Sequence, residues 1–100
     1  MKVYVVVEWF KGGKKPEIKG VYKDRIKAKE ITNNYRFAFV DEQVLLQMQA
    51  DKEKDEVYVL YELLVLNVPR IIGVFKDENL AKDMAKDCEY ENFIIKQVLA

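Results

Sequence analysis

Two glutamates interrupt apolar runs at matching places in the chain. Glu8 follows Val3-Tyr4-Val5-Val6-Val7, and Glu62 follows Val57-Tyr58-Val59-Leu60-Tyr61. A pair of carboxylates in unlike surroundings can divide acid and base work between them, and Glu8 and Glu62 would meet if their strands flanked a twofold axis. The plainer alternative leaves each glutamate at the end of a buried stretch, reaching solvent or a lysine. Other side chains give catalysis little to work with. The chain has no histidine and no serine, and Thr32 is its one aliphatic hydroxyl, so the commonest neutral-pH base and the Ser-His and Cys-His nucleophile systems are missing. Cys88 is the single cysteine. Without histidine it supplies too few ligands for a structural zinc site, and it has no partner for an intrachain disulfide. We expect no enzyme, no metal and no cofactor, with Cys88 packed on the apolar side of a helix.

Gly12-Gly13-Lys14-Lys15 resembles a phosphate loop only in part. The Walker pattern needs an earlier glycine and a helix directly after the lysine, whereas Lys11 to Pro16 reads as a hairpin turn into a strand over residues 17–23. Lys11, Lys14, Lys15, Lys19 and Lys23 form a candidate basic patch, continued by Arg25, Lys27 and Lys29 and interleaved with Trp9, Phe10 and Tyr22. Such a stretch can follow a nucleic-acid backbone. Glu17, Asp24 and Glu30 dilute it, as on an ordinary solvated surface. Formal charge is zero over the 100 residues. Its distribution is uneven, because residues 1–50 carry ten basic and six acidic side chains (+4), whereas residues 51–100 carry seven and eleven (−4). Without a whole-domain basic footprint nucleic acid is not the leading partner, and a weak nucleic-acid binder using this local patch is the second alternative.

The matching glutamates belong to a longer correspondence that fixes how they must be positioned. Gly20-Val21-Tyr22-Lys23-Asp24 returns as Gly73-Val74-Phe75-Lys76-Asp77, Ala28-Lys29-Glu30 as Ala81-Lys82-Asp83, and Gln43-Val44-Leu45 as Gln97-Val98-Leu99. Alternating apolar residues predict strands over residues 3–10 and 17–23, then a helix over 25–35 capped by Asp24, then a strand over 37–48 weakened at Asp41-Glu42. The second copy predicts strands over 57–66 and 71–76, a helix capped by Asp77 with Leu80, Ala81, Met84, Ala85 and Cys88 on one side, and a strand over 92–99. The fold class is therefore α+β, a tandem ββαβ-ββαβ duplication with pseudo-twofold symmetry and a mainly antiparallel sheet. Either half alone is too small to bury a sufficient core, so residues 1–100 are expected to form one domain of two repeats, about 3–49 and 57–99. A charged turn at 50–56 joins them.

A Val-Tyr-Val-Val strand, then Gly-Val-Phe-Lys-Asp, then a helix with Ala-Lys-Glu or Ala-Lys-Asp resembles small uncharacterised proteins of bacteriophages, prophages and Gram-positive bacteria. That resemblance covers residues 3–45 and 57–99 and carries over no catalytic residue. It implies a phage or mobile-element accessory protein, a class that binds and modulates or inhibits host proteins or captures small molecules.

Both faces of residues 57–66 are apolar, with Tyr58, Leu60, Leu64 and Leu66 opposite Val57, Val59, Tyr61, Leu63 and Val65. A helix covers one face only. The other half's sheet or a second subunit must cover the rest, which makes Tyr4, Glu8, Trp9, Tyr58, Leu60, Glu62, Leu64 and Leu66 the candidate ligand or interface residues. A protein partner or a homo-oligomer is the leading expectation. A small molecule such as a nucleotide, held at the pseudodyad by Tyr4, Tyr58, Trp9 and nearby lysines, is the alternative. No run of about 18 apolar residues is present to cross a membrane, and the cytoplasm is the expected location.

Overall fold

In the computed structural model of the protein, residues 1–10, 15–46 and 55–100 are described. The first copy supplies strands β1 (Lys2–Glu8) and β2 (Glu17–Tyr22), helix α1 (Arg25–Thr32) and strand β3 (Ala38–Leu46). The second supplies β4 (Glu56–Leu63), a 3-10 turn at Val65–Asn67, β5 (Pro69–Phe75), α2 (Glu78–Ala85) and β6 (Asn92–Val98). The α+β class, the two ββαβ units and the predominantly antiparallel pairing are as the sequence predicts. The expected turns at 11–16 and 50–56 fall mostly outside the described residues.

One six-stranded sheet runs in the order β2-β1-β3-β5-β4-β6. Its pairing is antiparallel within each copy, and the copies join where Leu45 and Leu46 of β3 lie parallel to Val74 and Phe75 of β5. The opposite edges meet as well, through a parallel bridge between Val21 and Leu99. The sheet therefore closes on itself at two symmetry-equivalent seams. Alternation then decides which side chains fill the interior. Val3, Val5, Val7, Val57, Val59, Val21, Val74, Leu45 and Leu99 form one core shared by both copies, and each fully buried valine contributes about 1.5–3 kcal/mol.

The other face of each half-sheet lies under its own helix. Leu60, Phe75 and Ala81 are buried there with Tyr58, Ile72, Leu80, Ala85 and Cys88 packed around them. Helices of eight residues are not stable alone. Ala28 and Ala81, both fully buried, let α1 and α2 approach the sheet closely. Asp24 and Asp77 cap them by accepting the amides of Ile26 and Asn79, each at 2.9 Å.

The apolar surplus of β4 is thus covered within the chain: the other copy's strands take one face and α2 the other. Of the two covers the sequence allows, the second half-sheet is the one observed.

Several boundaries differ from the sequence reading for local reasons. Helix α1 stops at Thr32 because the amides of Asn33, Asn34 and Tyr35 turn to the carbonyls of Glu30, Ile31 and Thr32 at 3.2, 3.0 and 3.2 Å, a tightening typical of helix ends. Strand β3 is continuous through Asp41 and Glu42, which pair with Val5 and Tyr4 of β1. Strand β4 ends at Leu63, since Leu66 and Asn67 take φ of 63° and 59° and turn the chain towards β5. Cys88 lies beyond the end of α2 but still packs beneath it.

Candidate binding clefts

Each copy carries a β-bulge in its hairpin, placed identically. Val6 pairs with Gly20 but Val7 with Ile18, leaving Lys19 as the extra residue; Leu60 pairs with Gly73 but Tyr61 with Ile71, leaving Ile72. A bulge re-aims the residue it inserts. Beyond the first bulge Glu8 stands directly opposite Glu17, a like-charge pair that is unfavourable by itself. Lys19 resolves it: its ammonium hydrogen-bonds Glu17, lies 3.6 Å from Glu8 and sits 5.0 Å from the Tyr35 ring centroid. The Glu17 hydrogen bond, with Glu8 and Tyr35 adding to it, raises the Lys19 pKa.

The second copy solves the same problem differently. Glu62 stands opposite Arg70, whose Nε lies 3.4 Å from the carboxylate, and the inserted Ile72 is apolar. Glu62 is only 4 % exposed. Around it Arg70, Ile72, Met84, Asp87, Cys88, Glu89 and Tyr90 line a cavity of about 320 Å³. Burial pushes the Cys88 thiol pKa up, and the neighbouring Glu62 and Asp87 charges add to that shift against Arg70.

Glu8 and Glu62 are not brought together. Each lies on a separate half-sheet with its own cationic partner, so the paired-carboxylate arrangement is not formed. Nor is the pseudodyad pocket of Tyr4, Tyr58 and Trp9. Tyr58 packs under α2, Tyr4 occupies the matching outward face of β1, and Trp9 packs against the shared core. Leu60 is fully buried and Leu64 is half-buried, whereas Leu66 is 68 % exposed at the hairpin tip.

Of the basic patch, Lys15, Lys19 and Lys23 lie within the described residues. Lys15 lies 3.5 Å from Glu91 and 4.6 Å from the Phe93 ring centroid, Lys19 is engaged by Glu8 and Glu17, and Lys23 is exposed. Lys11 and Lys14 are outside the described residues.

A second cleft, of about 520 Å³, opens where β1 ends. Glu8, Trp9, Phe10, Lys15, Glu17, Arg36 and Phe37 line it. The amide of Trp9 donates to the Phe37 carbonyl at 2.9 Å, which holds the exit of β1 against the entry to β3. Phe10 and Phe37 pack ring to ring at 5.1 Å yet remain 46 % and 45 % exposed, and the Arg36 guanidinium lies 5.4 Å from the Phe37 ring centroid. Trp9 Nε1 is buried without a hydrogen-bond partner among the described residues.

Arg36 and Phe37 escaped sequence reasoning as site residues. A signal existed: Trp9, Phe10 and Phe37 align with Leu63, Leu64 and Glu91, so the first copy acquires aromatics where the shared frame needs none. Among the described residues no group of His, Cys, Asp and Glu is arranged to hold a metal ion, and no helix is long and apolar enough to cross a membrane. Comparison with protein-family models, with curated proteins and with solved structures finds no match.

Proposed function

We propose that the protein is a non-catalytic binding module that docks a partner protein through the Trp9, Phe10 and Phe37 cleft. The observation that carries this reading is the half-exposed Phe10 and Phe37 pair. These rings lie where the first copy departs from the second, so folding alone does not call for them. Aromatic side chains around a concavity, with Lys15 and Arg36 at its rim, suit an apolar anchor residue of a partner with a carboxylate beside it. The phage and prophage resemblance points to a host protein as that partner.

Affinity purification of the full chain from an expressing bacterial host, run in parallel with Phe37→Ala and Arg36→Glu, tests this. Support is one protein retained by the original chain and lost with both variants, followed by direct titration of that protein. Recovery of the chain only as a free monomer, or retention that ignores both variants, overturns the reading.

A small-molecule reading has one observation of its own. The cleft volume of about 520 Å³ lies in the range of ligand pockets, with Trp9 for a nucleobase and Arg36 for a phosphate, which Lys15 would reach by leaving Glu91. Trp9 is the sole tryptophan. Its emission titrated with a nucleotide panel decides, and an unchanged spectrum removes this alternative.

A further inference from the structure

The Glu62 cavity has an internal reference in the other copy. Beside Glu8 the residue inserted by the bulge is Lys19, whose ammonium is held between two carboxylates and beside the Tyr35 ring. Beside Glu62 the inserted residue is Ile72, which brings no ammonium, and a cavity of about 320 Å³ opens there. Its charged lining is Glu62, Asp87 and Glu89 against Arg70 alone. Tyr90, Met84 and Ile72 supply an aromatic and apolar wall.

Arg70 is the cation that lines the cavity with Glu62. Its Nε lies 3.4 Å from the carboxylate and its guanidinium is largely exposed, whereas the strongest Arg–carboxylate pairs are shorter. A cation entering beside Glu62 is attracted more strongly than it would be in water, against the loss of its own hydration.

We propose that this cavity binds a small organic cation, a primary alkylammonium or short aliphatic diamine, with its ammonium against Glu62 and its carbon chain along Ile72, Met84 and Tyr90. An ammonium beside a carboxylate and an aromatic ring repeats the contacts Lys19 makes. This site is separate from the aromatic cleft and does not depend on it.

Calorimetric titration of the full chain with 1,5-diaminopentane at low ionic strength tests the proposal, with 1,5-pentanediol as the uncharged control. The expected result is saturable one-to-one binding of the diamine alone, with amide shift changes confined to the neighbourhoods of Ile72, Met84, Cys88 and Tyr90. Glu62→Gln is expected to weaken binding about tenfold or more. Ile72→Lys, which places the first copy's lysine in the second, is expected to abolish binding by filling the cavity from within. It remains informative if the Glu62→Gln substitution unfolds the chain. No saturable heat up to about 10 mM diamine, shift changes elsewhere, or undiminished binding by folded Ile72→Lys overturns the proposal.

Discussion

The carbonyl of Ala100 accepts the amide of Lys23 at 2.8 Å, and the carbonyl of Leu46 accepts that of Lys76 at 2.9 Å. These equivalent bonds close the sheet at its two seams, each beside a leucine, Leu99 or Leu45, that enters the shared core. Symmetry makes a quantitative demand. Leu99→Ala and Leu45→Ala are each expected to cost about 2–4 kcal/mol, the range for a leucine removed from a packed interior, and to agree within about 1 kcal/mol. Urea denaturation measures both. A negligible cost at Leu99 alone would show that the Val21–Leu99 seam does not hold in solution.

The motif Gly-Val-Tyr and its copy Gly-Val-Phe have a packing reason. A Cβ on Gly20 would lie 2.7 Å from the Tyr22 ring, and one on Gly73 would lie 2.9 Å from the Phe75 ring, because each aromatic folds back over the glycine two residues earlier. Phe75 is fully buried and cannot yield, whereas Tyr22 is half-buried and can swing outward. Gly73→Ala should therefore cost about 2–3 kcal/mol, towards the upper part of the overpacking range, and Gly20→Ala about 1 kcal/mol. Urea midpoints of the two variants give the comparison, and equal costs would contradict this packing account.

The frame was legible in the sequence because it is written in local terms. Alternating valines, Asp24 and Asp77 as caps, and the Gly-Val-aromatic repeats all act over a few residues, and the duplication states each twice. Closure was not legible, since Val21 and Leu99 are far apart in sequence and nothing local announces their pairing. The same limit explains the misplaced pocket: Tyr4 and Tyr58 are equivalent by symmetry, yet equivalence put them on outward faces rather than near each other. The cleft is written in the differences between the copies, where Trp9, Phe10 and Phe37 stand against Leu63, Leu64 and Glu91.

Cys88 should be a sluggish nucleophile. Burial, then Glu62 and then Asp87, raise its thiol pKa, while Arg70 lowers it, and only the thiolate reacts with an alkylating agent. The alkylation rate against pH should rise with a midpoint above that of a free cysteine. Glu62→Gln should move the midpoint down and Arg70→Ala should move it up. Iodoacetamide labelling followed by mass spectrometry supplies the rates, and opposite shifts in the two variants are the required outcome.

Tyr61 links stability to alkaline pH. Burial, with Glu91 adding to it, raises its phenol pKa in the folded state. Tyr61 thus contributes fully below the unfolded value of about 10, and that contribution is lost as pH rises through the folded value. The native chain should lose stability more steeply than Tyr61→Phe above about pH 10, while the two slopes coincide near neutrality. Denaturation midpoints across the alkaline range test the sign. A Tyr61→Phe variant that declines equally steeply would assign the loss to other groups, such as Lys19.

The two bulges make a further prediction because each copy offers the other an alternative solution. Lys19→Ile leaves Glu8 facing Glu17 without the ammonium between them, and this should cost about 0.5–1.5 kcal/mol through like-charge opposition. Adding Glu17→Arg installs the second copy's arrangement, in which Arg70 faces Glu62 and Ile72 occupies the bulge. The double variant should recover to within about 0.5 kcal/mol of the original chain, giving a coupling between neighbouring residues that independent sites would not show. Added salt should narrow the gap between the single variant and the original chain, since these charges are partly solvated. Failure of Glu17→Arg to rescue Lys19→Ile would mean that Lys19 stabilises through the packing of its carbon stem against Tyr35, not through the two carboxylates.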